Sequence, residues 1–224
     1  MRFFIVFLLF VSCAFADEGQ SLTGAQWLEK VGNAMRNLNY HGTVVFMKSG
    51  QIDTMKYQHT VLNGVESERL TSLNSPLREI TRKSNEISCL YKETSQKTET
   101  RHPIDRSFIV NLPAALDRID EQYLLAVAGQ EMIAMRPAQI VAVLPKDGLR
   151  YARKIWVDKA SWLALKVEVY EQGGNVLEQV LFTELDVDPA IPPTELEQAL
   201  VQDDHDTHQH GAQVEAFENS AFEL

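Results

Sequence analysis

Two long arrays of strands and turns limit what this chain can fold into. The first runs from Tyr40 to Tyr91 and is interrupted at Ser49-Gly50-Gln51, Asn63-Gly64, Asn74-Ser75-Pro76 and Lys83-Ser84-Asn85. Between these turns the side chains partly alternate. Met55, Tyr57, His59 and Val61 share one parity, while Thr54, Lys56, Gln58 and Thr60 share the other. A period of two bounded by Gly, Asn and Pro marks half-buried antiparallel strands. Asn63-Gly64 is a hairpin signal, because a tight primed turn needs positive φ at both central positions. The pattern predicts strands at 41–48, 52–62, 65–73, 77–83 and 86–91, with a polar edge at 97–101. A second array predicts strands at 123–128, 131–136, 138–145, 149–158, 163–171 and 176–187, with turns at Gly129-Gln130, Lys146-Asp147-Gly148, Lys159-Ala160-Ser161 and Gln172-Gly173-Gly174-Asn175. Met132 to Val143 is nearly all apolar, which suits strands covered on both faces.

Two helical stretches flank these arrays. Thr23 with Gln26 three residues on is a capping-box pattern. Behind it Trp27, Leu28, Val31, Ala34, Met35 and Leu38 form one apolar stripe, so the helix is expected to lie on the sheet. In the segment 104–122, Leu112, Leu116 and Ile119 recur at helical spacing and Pro113 suits a first turn. About a dozen strands in one sheet tend to curl. The expected class is therefore α+β: a strongly curved antiparallel sheet with helices lying against its inner face.

The ends read differently. Arg2, the apolar run Phe3 to Val11 and Ala14-Phe15-Ala16 form a secretory signal peptide, with cleavage expected after Ala16. Export then leaves Cys89 as the single cysteine of the mature chain, without an internal disulfide. Its neighbours Ile87, Leu90 and Tyr91 make it a small core residue. Stability must then come from a core, and 224 residues at 45% hydrophobic can supply one. The Pro-rich stretch Asp188 to Pro193 marks a boundary. The expected layout is a signal peptide at 1–16, a folded domain at 17–188, and an acidic, His-containing, disordered tail at 189–224. The formal charge of −10 argues against nucleic acid as a partner. The local basic stretch Lys146 to Lys166 reads as a solvated strand face.

No catalytic constellation emerges. The chain has no G-x-S-x-G elbow, no H-E-x-x-H, no C-x-x-C and no Gly-rich phosphate loop. No catalytic residue, metal site or cofactor is expected. His59 shares parity with Met55 and Tyr57 and reads as a core or rim histidine, while Glu66 and Glu68 read as the polar face of a strand. The functional feature such a sheet offers is an apolar cavity. Its candidate lining residues are Val44, Phe46, Met55, Tyr57, Leu70, Ile80, Tyr91, Trp156 and Trp162. Helices that simply fill the cavity would satisfy the same pattern.

Several of these stretches together resemble the RseB/MucB family of periplasmic regulators of the sigma-E envelope stress response. They are Leu38-Asn39-Tyr40-His41-Gly42-Thr43, Gly50 to Met55, Glu68-Arg69-Leu70, Pro76-Leu77-Arg78-Glu79 and Asn85-Glu86-Ile87. Further on, Val127-Ala128-Gly129, Pro145 to Tyr151, Trp156-Val157-Asp158, Leu177-Glu178-Gln179 and Phe182-Thr183-Glu184-Leu185 continue the pattern. The resemblance implies a LolA-like unclosed antiparallel β-barrel with plugging helices, and no enzymatic activity. It also implies binding to the periplasmic part of an RseA-type anti-sigma factor and its shielding from site-1 cleavage by DegS. Lipid or lipopolysaccharide is the implied second ligand, and self-association into a homo-oligomer is compatible with it. A smaller C-terminal domain that helps hold RseA is also implied, whereas only about thirty residues follow Pro193 here. A periplasmic lipid or lipoprotein carrier with the same fold is the alternative function.

Overall fold

The computed structural model describes residues 22–74, 78–83, 86–91, 96–100, 107–110 and 119–187. The expectations for 1–16 and 189–224 lie outside them, as do the side chain of Cys89 and most of the 104–122 segment.

The capping box forms as expected. Thr23 N–H donates to Gln26 Oε1 at 2.9 Å, and Gln26 N–H donates to Thr23 Oγ1 at 3.3 Å. Helix α1 (Gly24–Asn37) follows, with Trp27, Leu28, Val31, Ala34 and Met35 buried. Beyond it come β1 (Tyr40–Lys48), β2 (Gln51–Leu62), β3 (Val65–Ser72), β4 (Arg78–Lys83), β5 (Glu86–Tyr91) and β6 (Gln96–Thr100). After a short α2 (Ile119–Gln122) the second array gives β7 (Tyr123–Ile133), β8 (Arg136–Pro145), β9 (Ala152–Asp158), β10 (Ala164–Tyr170) and β11 (Val176–Val187).

All eleven strands join one sheet in the order β6-β5-β4-β3-β2-β1-β11-β10-β9-β8-β7. Each array is a meander, and the two meet where β1 pairs antiparallel with β11, from Tyr40↔Val187 to Lys48↔Glu178. Among the described residues β6 and β7 are the unpaired edges, so the sheet is open. The register of this seam shifts between Thr43 and Val44. A Cβ added at Gly42 would collide with the carbonyl oxygen of Glu184, so no side chain fits there.

Helix α1 lies across the strands of the second meander. Its fourteen residues span about 21 Å, close to the roughly 24 Å covered by the five strand spacings from β1 to β7. Gly24 at its start abuts Leu125 of β7, where an added Cβ would come within 2.8 Å of the leucine Cβ. Trp27 packs on Trp162 with ring centroids 5.0 Å apart. At its end the Met35 carbonyl accepts from Tyr40 of β1 at 3.4 Å. The buried side chains of α1 and the sheet form one apolar core, including Leu28, Val31, Val44, Val141, Ile155, Leu165 and Phe182.

The second array departs from expectation in one hairpin. Gly129-Gln130 is not a turn. It is a bulge within a single long β7, where the register shifts between Val127 and Gln130 and the Gln139 amide donates to the Ala128 and Gly129 carbonyls. The chain reverses instead at Ala134-Met135, with φ of 49° and 59°. These residues adopt the primed geometry that Asn63 and Gly64 adopt at 52° and 78°. Met132 and Met135 are then 63% and 93% exposed, so the apolar run is covered on both faces only from Ala138 onward.

Two L-residues with side chains in the left-handed region carry a steric cost. Replacing Ala134→Asn together with Met135→Gly is expected to raise the unfolding free energy by about 1 kcal/mol, read as a higher urea midpoint at unchanged m-value.

Candidate functional site

The inner face of the first meander is built from rows of side chains that run across the strands. One row follows the register Tyr40↔His59↔Glu68↔Arg82 through β1, β2, β3 and β4. The next row follows Gly42↔Tyr57↔Leu70↔Ile80. A third contains Val44↔Met55↔Ser72. Polar and apolar rows thus lie side by side on one covered face.

The polar row is fully interlocked. Glu68 has no exposed surface. Its Oε1 accepts from Tyr57 at 2.6 Å and from Ser107 at 2.7 Å. Its Oε2 accepts from Arg82 Nε at 2.6 Å and from the Phe108 amide at 3.3 Å. These four donors match the roughly four lone-pair sites of a carboxylate. Arg82 also reaches Glu66 through Nη2 at 2.5 Å. Glu66 in turn faces His59 Nε2 at 3.1 Å, while His59 Nδ1 faces the Leu38 carbonyl at 2.7 Å. The Tyr40 ring stacks on His59 at 4.7 Å, and its hydroxyl lies 3.3 Å from that of Tyr57. Because Tyr57 donates to Glu68, its oxygen can only accept from Tyr40, whose single proton is shared between Tyr57 and the Met35 carbonyl.

Burial pushes the Tyr57 and Tyr40 phenols far above their ordinary range, so both remain neutral. Burial would also raise the Glu66 carboxyl, but the hydrogen bonds and charges of His59 and Arg82 together outweigh it and hold that carboxyl below the ordinary 4.5. The Asp158 carboxyl, far away at the β9–β10 turn, follows the same logic. Burial opposes ionisation there, and Arg136 and Ser161 overcome it.

The apolar rows line a cavity of about 310 Å³. Phe46, Met55, Leu70 and Ile80 form its wall together with Val180 of β11 and Phe108, and Lys48, Asp53 and Glu178 stand at its rim. Lys48 and Glu178 form an exposed ion pair at 2.5 Å.

Of the nine residues expected at a cavity, Phe46, Met55, Leu70 and Ile80 meet there. Val44 and Tyr57 share the same face but are packed into the core beside it, 0% and 1% exposed. Tyr91 is placed only by its backbone, which pairs with Arg78 and Gln96. Trp156 points away from the face of Ile155 and Val157; Lys166 sits over its ring and its indole donates to Glu131. Trp162 lies at the β9–β10 turn at φ 66°, against Trp27 and under Lys30, and lines a separate open groove beside α1.

Glu66 and Glu68 overturn their expected place on an outer polar face. The period of two that turns Leu70 inward turns both glutamates inward as well. Phe108, Ser107 and Val180 belong to the site too. Val180 was readable from alternation in β11, whereas Ser107 and Phe108 sit in a short irregular segment without periodicity.

Arg82→Ala would remove the cation that faces buried Glu68 and partly exposed Glu66, and is expected to cost about 3–5 kcal/mol in urea unfolding at neutral pH. The sign of the pH effect follows from Glu66 and Asp158. Their native carboxyls bind protons less readily than the unfolded chain does, so the stability they contribute is complete above about pH 4.5 and is lost on acidification below it. Glu66→Gln should flatten that acid limb, and an unchanged limb would refute the assignment.

The chain matches the family model described as the MucB/RseB N-terminal domain over residues 23–200. It is 29% identical over 157 residues to the sigma-E factor regulatory protein RseB of Salmonella typhimurium, covering 68% of this chain and 48% of that protein. To the sigma factor AlgU regulatory protein MucB of Pseudomonas aeruginosa it is 26% identical, covering 88% of this chain and 61% of that protein. The chain thus spans about half the length of the first of these relatives. Among solved structures, MucB superposes with a TM-score of 0.66 at 25% identity, covering 77% of this chain and 62% of that one. The Pseudomonas aeruginosa MucA/MucB complex gives 0.65 at 26%, covering 77% and 60%. With the family model matched along most of its length and the sheet shared with MucB, the chain belongs to the MucB/RseB family.

Proposed function

We propose that this chain is a periplasmic, non-enzymatic negative regulator of an envelope-stress sigma factor. It binds the periplasmic part of an RseA-type anti-sigma factor and shields it from site-1 proteolysis. Its apolar cavity takes an acyl chain of lipid or lipopolysaccharide. The observation that carries the reading is the family match over residues 23–200, joined to a relative, MucB, solved in complex with MucA(peri). The signal-peptide pattern before Asp17 supports a periplasmic location, with residues 17–188 as the working domain and 189–224 as an appended acidic tail.

The cavity supports the ligand half of the reading on chemical grounds. Its wall is apolar, its rim carries charged groups, and its size is at the lower end of the roughly 300–1,000 Å³ of ligand sites. The cavity equally suits a lipid or lipoprotein carrier, so the partner decides between the two functions.

The mature chain should be mixed with the periplasmic segment of its cognate anti-sigma factor and tested by pull-down and by DegS cleavage. The regulatory reading expects capture of the segment and at least tenfold slower cleavage. Failure to bind, with cleavage unaffected, would leave the carrier reading standing in its place.

A further inference from the structure

The segment Ser107–Val110 touches the cavity and the charged row at the same time. Phe108 is part of the cavity wall, beside Leu70 and Ile80. One residue earlier, Ser107 Oγ donates to Glu68 Oε1 at 2.7 Å, and the Phe108 amide donates to Oε2 at 3.3 Å. The Ile109 amide folds back onto Ser107 Oγ at 3.2 Å. Half of the donors that satisfy Glu68 therefore come from this segment. The other half, Tyr57 and Arg82, come from the sheet.

We infer that Ser107-Phe108 is a latch on the cavity, pinned at Glu68 and anchored by the buried Ile109 and Val110 that follow it, and that an apolar ligand larger than the resting cavity displaces Phe108 and releases the pin. The inference rests on the proposed ligand role of the cavity. The steric part is direct. The other apolar walls are strand side chains held in a hydrogen-bonded sheet, whereas Phe108 sits on a segment outside any strand or helix. Among the described residues of the apolar wall, Phe108 is the side chain carried outside the sheet, and the two residues after it, Ile109 and Val110, are buried in the core.

The electrostatic part explains why release is feasible. When the latch leaves, Glu68 keeps Arg82 and Tyr57, so its charge is not stranded. The closed latch and the ligand compete for the same space. The observed affinity is then reduced by the fraction of chains that are latched. Weakening the pin should tighten binding rather than weaken it, which is the opposite of what loss of a ligand contact would do.

The test uses the mature chain and the apolar fluorophore N-phenyl-1-naphthylamine, with amide exchange read by mass spectrometry. Saturating probe should speed exchange in the peptide that contains residues 107–110 several-fold and leave the β1–β11 seam unchanged. Ser107→Ala, which keeps Arg82 and Tyr57 on Glu68, should speed that exchange without probe and tighten probe binding by about tenfold. Probe binding with unaltered or slower exchange at 107–110, or weaker binding to Ser107→Ala, would overturn the latch and leave the cavity reading intact. A probe that binds neither chain would overturn both.

Discussion

A carboxylate with no exposed surface must meet donors on every side, and Glu68 imposes that demand on the whole inner face. Taking a charge out of water costs several kcal/mol unless its lone pairs are filled. Here β2 supplies Tyr57, β4 supplies Arg82, and the Ser107–Val110 segment supplies a hydroxyl and an amide. No neighbouring strand can slip by one residue without removing a donor, because a one-residue slip turns every side chain to the other face. Apolar rows alone would tolerate more error. The charged row therefore gives register to the half of the sheet that α1 does not cross.

Much of the fold was legible because it depends on local rules. The Thr23–Gln26 box, the stripe from Trp27 to Leu38 and the Asn63-Gly64 turn each act over a few residues. The Ala134-Met135 turn was not legible, since neither residue prefers positive φ and Gly129 nearby offered a better turn residue. There the pairing of two long strands outweighed local preference. The site was half legible for a similar reason. Alternation identified Phe46, Met55, Leu70 and Ile80, but charge was read as a sign of exposure at Glu66 and Glu68. Trp156 and Trp162 were misplaced because hydrophobicity does not reveal which face of a strand, or which end of a turn, a large ring occupies.

The family match and the geometry answer different questions. Membership in the MucB/RseB family rests on the length and order of the match. The cavity and the charged row describe what this chain's own side chains can do, namely hold an apolar group beside a tightly paired set of charges. A shared sheet does not transfer a partner. The surfaces that relatives carry beyond the matched region belong to them.

The seam between β1 and β11 has a consequence for how the molecule comes into being. The middle of the sheet is made from the first and last strands of the array, and Thr183 donates to the Thr43 carbonyl across 140 positions of sequence. Contacts of such long range are slow to form. Each meander can zip up as a series of hairpins, yet the two cannot join until the final strand has emerged. A chain that emerges N-terminus first therefore cannot complete the sheet until Val176–Val187 has appeared. The seam that joins the two meanders includes Gly42, where the two backbones come too close for any side chain.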